Sequence, residues 1–232
     1  MPKTTRIPAS KVVLDYNLYP RHQVDDTAVA RLVDALRAEE ALPPIVVDAK
    51  SMRVVDGFHR VTAYQRFAGP DAKVPAEVHT YSTDAEMFAD AVRRNARHGR
   101  PLSRYDLARC ITRAMELKLD PETITRCAAI SADTYDRIVR HKLATHRGRP
   151  VALKRTLAHF AGQPIAKATA SANRRLGGMS QLFYVNQVLI LLTNDLVDES
   201  NANLMEALQR LHRALEEFLD RHAATTCAAS EE

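Results

Sequence analysis

The stretch Val54-Val55-Asp56-Gly57-Phe58-His59-Arg60-Val61-Thr62-Ala63 reads as a short β-branched strand, a glycine turn and the first turns of a helix. A glycine directly after a strand lets the backbone approach a ligand closely, and the helix start that follows offers unpaired N–H groups to an anion. Arg60 adds a fixed charge with a forked donor array. A strand-turn-helix that serves only the fold is the competing reading of the same residues.

Outward from this stretch, strand and helix signals alternate. Upstream, Lys11 to Leu14 is a strand candidate. Asp25 or Asp26 can cap a helix running to about Glu40, with Val29, Leu32, Val33 and Leu36 on one face. Pro43 and Pro44 end it, and Ile45-Val46-Val47 follows as a buried strand. Downstream, Gly69-Pro70 stops the helix, Val74 to His79 is a further strand, and Asp84 opens a helix through Arg94. Residues 1–92 therefore predict a small α/β domain, and the remainder predicts helices, for an α+β chain overall.

Charge separates the next segment from its neighbours. From Arg93 to Arg155 sixteen Lys/Arg face six Asp/Glu, whereas the rest of the chain holds seventeen basic against twenty-two acidic residues. Such concentration suits a surface that meets phosphates; a basic but merely solvated helical surface is the plainer alternative. Within it, Glu122 to Arg140 predicts a helix-turn-helix in residues 93–147. Ile124 and Ala128 face inward from the first helix, Ile130 plugs the turn, and Tyr135 and Ile138 face inward from the second. Ser131 caps the second helix, and Asp133, Thr134, Arg137, Arg140, His141 and Lys142 fall on or near its outer side as candidate DNA contacts. Ala129 stands where glycine usually makes the turn, at a cost of roughly 1 kcal/mol or more for a left-handed alanine.

Residues 148–178 carry Gly148, Pro150, Gly162, Pro164, Gly177 and Gly178 among few large apolar residues, which predicts a linker with at most short helices. At its start, Arg147-Gly148-Arg149-Pro150 matches the core of an AT-hook. There Arg147 and Arg149 would enter the narrow minor groove of A·T-rich DNA from an extended backbone. An arginine-rich linker matching by chance is the competing account. Residues 179–222 predict two long helices. The first is apolar almost all round and the second carries Leu204, Leu208, Leu211, Leu215, Phe218 and Leu219 in one stripe. A two-helix hairpin cannot bury that much alone, so pairing with a second copy is expected. Residues 223–232 read as a flexible tail.

Hydrophobic residues at 46% allow real cores, while seven glycines and no tryptophan argue against an all-β chain. Cys110, Cys127 and Cys227 form no Cys-x-x-Cys pair, so reduced thiols are expected rather than a zinc site or a disulfide framework. No apolar run is long enough to span a bilayer, and the start MPKTTRIPAS lacks the apolar segment of a signal peptide, which together suggest a cytoplasmic protein.

The decisive stretch also resembles the signature of the ParB/sulfiredoxin superfamily. Tyr19-Pro20-Arg21, then Leu42-Pro43-Pro44-Ile45-Val46-Val47, then Arg94-Asn95-Ala96-Arg97-His98 resemble further family segments, in the family's order. The resemblance covers about residues 7–143. It implies a ParB-like amino-terminal domain, a nucleotide (often CTP) held by Gly57, Phe58, His59 and Arg60 with Arg21 and Asn95 nearby, and double-stranded DNA as partner. Departures bear on turnover. Partition proteins usually carry an acidic residue after the glycine and two consecutive arginines; Phe58, His59 and Arg60 stand here. Arg94 replaces the acidic residue usual before the asparagine, removing a magnesium ligand, and His98 replaces an arginine. Sulfiredoxin chemistry is excluded, because the turn has no cysteine. The expectation is a dimeric, nucleoid-associated DNA-binding protein of partition or regulation, with no assigned catalytic residues. The runner-up is a nucleotide-dependent kinase or nuclease on the same fold.

Overall fold

A computed structural model describes residues 4–97 and 101–228, with side chains to 96 and from 101 to 222. His98 and the last four residues lie outside the described set. The chain divides into two units, Met1–Met179 and Ser180–Glu232.

The first unit is built on a four-stranded sheet in the order β1-β4-β2-β3: β1 (Thr4–Pro8), β4 (Lys73–His79), β2 (Ile45–Asp48) and β3 (Val54–Asp56). β2 runs parallel to β4, and the two outer pairings are antiparallel. All four β2 residues are buried, because helices cover both faces of the sheet, and that is why Ile45-Val46-Val47 is continuously apolar. On one face α2 (Phe58–Ala68) buries Phe58 and Val61 against Ile45, Val47, Val54 and Val74. α1 (Asp26–Arg37) then packs Val29, Val33 and Leu36 on Ala63 of α2. Asp25 caps α1, accepting from the N–H groups of Thr27 and Ala28.

The other face is covered by α3 (Asp84–Arg97), which joins sheet to helices. Met87, Phe88, Ala91 and Val92 share one core with Val46 and Val55 of the sheet. The same core takes in Ile111 of α4 (Arg104–Glu116), Ile124 of α5 (Pro121–Ala128) and Ile138 of α6 (Ala132–Lys142). α3 runs straight through the boundary expected between residues 92 and 93, so the α/β and helical segments share their interior. Cys110 is sealed in this core, its thiol donating to the carbonyl of Pro20 at 3.3 Å, and burial pushes the thiol pKa up to about 12.

Three elements depart from the sequence expectation. The first strand is Thr4–Pro8, whereas Lys11–Leu14 packs Val12 into the core and pairs with the sheet through an isolated bridge between Val13 and Arg53. The 148–178 stretch is folded rather than a linker. β5 (Leu143–His146) and β6 (Arg149–Ala152) form a hairpin, and α7 (Lys167–Arg175) closes over it, burying Ala144, Leu153, Ile165 and Ala170 together. Buried Asn173 ties the two parts, accepting from the Lys154 N–H at 2.9 Å and donating to the Ala152 carbonyl at 2.8 Å. Within the second unit, α8 (Gln181–Thr193) buries no residue. α9 (Ala202–Ala228) continues six residues beyond the expected end, into the stretch read as a tail.

Candidate nucleotide cleft and nucleic-acid surface

A cleft of about 920 Å³ opens where the loop before α1, the β3–α2 turn and the start of α4 converge. All six residues singled out for a nucleotide, Arg21, Gly57, Phe58, His59, Arg60 and Asn95, line it. Gly57 takes φ +107°, and a Cβ there would lie 2.5 Å from Ile45 Cγ2, so no other residue fits without displacing the core. The α2 first-turn amides that follow have no partner available within their own helix.

The six play different parts. The Phe58 ring is buried and stacks on Tyr19, with centroids 4.2 Å apart and planes 14° from parallel, which leaves only its backbone for a ligand. Burial pushes the Tyr19 phenol well above its ordinary range and keeps it neutral. Arg60 braces the protein rather than standing open: Nη1 donates to the carbonyls of Pro43 (3.0 Å) and Pro44 (2.6 Å), and Nη2 to Asp56 at 2.8 Å. His59 Nε2 accepts the Asp25 N–H at 3.0 Å, linking the α2 start to the α1 cap. Burial first, and the charge of Arg21 next, hold the His59 pKa below its usual value and keep that acceptor lone pair intact. Asn95 Nδ2 donates to the Ala91 carbonyl of its own helix. Arg94 is absent from the lining; its Nε donates to Asp90 at 2.8 Å.

Sequence reading missed His22, Arg31 and Asp106 in the lining. Asp106 is 4% exposed and completes a capping box with Ser103 at the α4 start while also binding His22. Only the Ser103-x-x-Asp106 spacing hinted at it. Four carboxylates line the cleft, each with an internal partner: Asp25 at the α1 cap, Asp26 with Arg66, Asp56 with Arg60, and Asp106 with Ser103 and His22. Of the lining cations besides Arg60, Arg21 donates from Nη1 to the Pro101 carbonyl at 3.5 Å, and Arg31 is exposed.

The nine residues singled out for DNA lie on and beyond α6. Tyr135 and Ile138 are buried, which turns Asp133, Arg137, Arg140 and His141 outward, with Thr134 and Lys142 half-buried. Ser131 Oγ caps the helix by accepting the Thr134 N–H at 3.2 Å. Arg137 is held by Asp133 (3.1 Å) and by Thr134 Oγ1 (3.1 Å). Between α5 and α6, Ala129 adopts the left-handed conformation, φ 53° and ψ 45°. Arg147 and Gly148 are the two central residues of the β5–β6 turn, at φ 51° and 74°, a tight mirror-image turn rather than the extended backbone that an AT-hook presents. Arg147 and Arg149 are exposed at that hairpin's tip.

A family model described as the ParB N-terminal domain matches residues 3–96. A curated protein of Streptomyces griseus, described as "Streptomycin biosynthesis operon possible regulatory protein", is 35% identical over 97 residues, 42% of this chain and 26% of that one. The chain thus spans about a quarter of that relative's length. Among solved structures, two are of the C-terminally truncated chromosome-partitioning protein ParB from Caulobacter crescentus. The one complexed with CTP-γ-S is 19% identical, with TM-score 0.36, covering 57% of this chain and 74% of that one. The one complexed to the centromeric parS site is 18% identical, with TM-score 0.43, covering 59% and 70%. The family model falls on the sheet and its helices, and the strand-glycine-helix turn that shapes the cleft lies inside the matched residues 3–96.

Proposed function

We propose that this is a dimeric, sequence-specific DNA-binding protein of the ParB type, gated by a nucleotide, that works on the nucleoid in partition or in transcription regulation. The observation that carries the reading is the outward face of α6. A helix seated by Tyr135 and Ile138 presents Arg137, Arg140 and His141 to solvent, inside the segment that holds the chain's positive excess. Ser131, Thr134, Lys142 and the hairpin-tip Arg147 and Arg149 extend that surface for phosphate contacts.

The cleft supports the nucleotide. Its volume suits a nucleotide-sized ligand, and its donors to phosphate are the amides after Gly57 together with Arg21 and Arg31. In this reading Arg60 positions the turn, by holding Asp56 and the Pro43–Pro44 carbonyls, and Phe58 and Tyr19 fix the floor. The dimer is supported by the second unit, where Leu182, Val185, Leu189 and Ile190 of α8 and Leu211, Leu215, Phe218 and Leu219 of α9 are all exposed. An apolar surface of that extent calls for a second copy.

Selection of bound duplexes from a random pool, with and without CTP, tests the whole reading. A recurring sequence whose enrichment changes with CTP is expected; recovery of random duplex only would overturn it. Calorimetry with CTP, ATP and GTP on wild type and Arg21→Ala tests the cleft, where heat with one nucleotide that weakens in the variant is expected. Multiple turnover of nucleotide without DNA would favour an enzyme on this fold.

A further inference from the structure

A second, smaller cleft of about 300 Å³ lies on the first unit between α4, the β5–β6 hairpin and α7. Three guanidinium groups line it, from Arg109 and Arg113, one turn apart on α4, and from Arg174 of α7. One carboxylate answers them: Glu116 pairs with Arg113 Nη1 at 2.9 Å. Two of the guanidiniums are incompletely satisfied. Arg109 Nη1 and Arg113 Nε are buried without a hydrogen-bond partner among the described residues. Arg109 forms no ion pair with a described residue either. Those two nitrogens are sealed from solvent at a cost, so an anion in the cleft would be held by the remaining N–H groups of the same guanidiniums.

The walls add to the same bias. His146 Nδ1 lies 2.8 Å from the Ile165 carbonyl, which only accepts, so Nδ1 carries the hydrogen and the ring is fixed in the wall. Lys154 stands over the ring of Tyr105, a residue of the cleft wall, at 5.7 Å, and its Nζ is fixed by the carbonyls of Arg174 and Leu176. Aliphatic or aromatic cover would have answered a purely structural need; forked donors in surplus fit a compact tetrahedral oxyanion.

We propose that this cleft binds a small phosphate monoester or inorganic phosphate, with Arg109 and Arg113 as its donors and Arg174 closing it from α7. The site is separate from the nucleotide cleft, with which it shares only Tyr19 of the residues lining each. Because α4 packs in the same core as α5 and α6, occupancy stiffens the elements that seat α6.

Equilibrium dialysis of the full chain against radiolabelled inorganic phosphate and glycerol phosphate, in chloride buffer, tests the proposal. Saturable binding is expected, weakened at least tenfold in Arg109→Gln/Arg113→Gln and measurably in Arg174→Gln, whose exposed side chain keeps that variant folded whatever the double variant does. Binding that is equal in wild type and Arg174→Gln overturns the proposal, as does the absence of saturable binding. A double variant that loses duplex affinity while wild type binds no phosphate also overturns it, by giving these arginines to DNA.

Discussion

Asp106 holds His22 at two points, its Oδ1 accepting the His22 backbone N–H at 2.8 Å and Nδ1–H at 3.0 Å across 84 positions of sequence. The same carboxylate caps α4, so one buried group ties the loop that carries Arg21 to the first helix of the central helical segment.

Asp106→Asn replaces an ionised acceptor by an amide facing an N–H, and a loss of about 2 kcal/mol is expected at neutral pH. Burial, the largest influence, would raise the Asp106 pKa, but the hydrogen bonds from Ser103 and His22 together outweigh it and hold the value below the ordinary one. A depressed carboxylate contributes stability that is complete above its unfolded value, about 3.9, and fades as pH falls through the folded value. Melting temperatures of wild type and variant should therefore differ at pH 7 and converge in acid. A gap that widens below pH 4 contradicts this.

Gly57→Ala should be among the most damaging single methyl additions in the chain. It meets both a positive φ and a Cβ contact of 2.5 Å with the fully buried Ile45, for an expected cost of about 3 kcal/mol. Urea titration reads this directly, and a change below about 1 kcal/mol would show that β2 can yield.

Ala129→Gly runs the other way. The residue is exposed and left-handed, so a glycine relieves strain without losing packing, and about 1 kcal/mol of stabilisation is expected. Thermal unfolding of the two proteins side by side would show a rise; a fall would mean that the turn between α5 and α6 is built differently.

Arg137→Ala/Arg140→Ala should abolish discrimination between a selected duplex and random DNA while leaving the melting temperature almost unchanged, since both side chains are exposed. A guanidinium that grips a base edge supplies about 1–3 kcal/mol of that discrimination. Fluorescence anisotropy on both duplexes decides it, and unchanged discrimination removes α6 from the interface.

Truncation after Met179 should leave a folded monomer with weaker DNA binding, because the first unit keeps its own cores. Sedimentation of the full chain at micromolar concentration should give a dimer. A full chain that sediments as a monomer contradicts the role given to α8 and α9.

The sheet's interior strands and the helices α1 to α6 were legible because their apolar residues follow the spacing of 2 or 3.6 and their ends carry caps such as Asp25, Ser103 and Ser131. β1 was not: at the sheet edge, only Ile7 of Thr4–Pro8 is buried, too little for a pattern. The hairpin and α7 escaped for a related reason. Their core leans on Ala144, Ala170 and Asn173, small or polar groups that no hydropathy count detects, while Gly148 looks like a breaker and is in fact a turn. In the cleft, the glycine turn was readable from local sequence. His22 and Asp106 were not, because their pairing exists only once distant segments meet.

The position of α3 bears on how such chains diversify. The family match ends at residue 96, one residue before the helix does, yet Phe88 and Val92 of that helix are shared property of the sheet and of α4 to α6. Recombination at that joint would hand a recipient half of an interior. A segment cut at residue 96 would therefore uncover the side of Met87, Phe88, Ala91 and Val92 that packs with α4 to α6, and a substitution at any of these four positions acts on both parts at once.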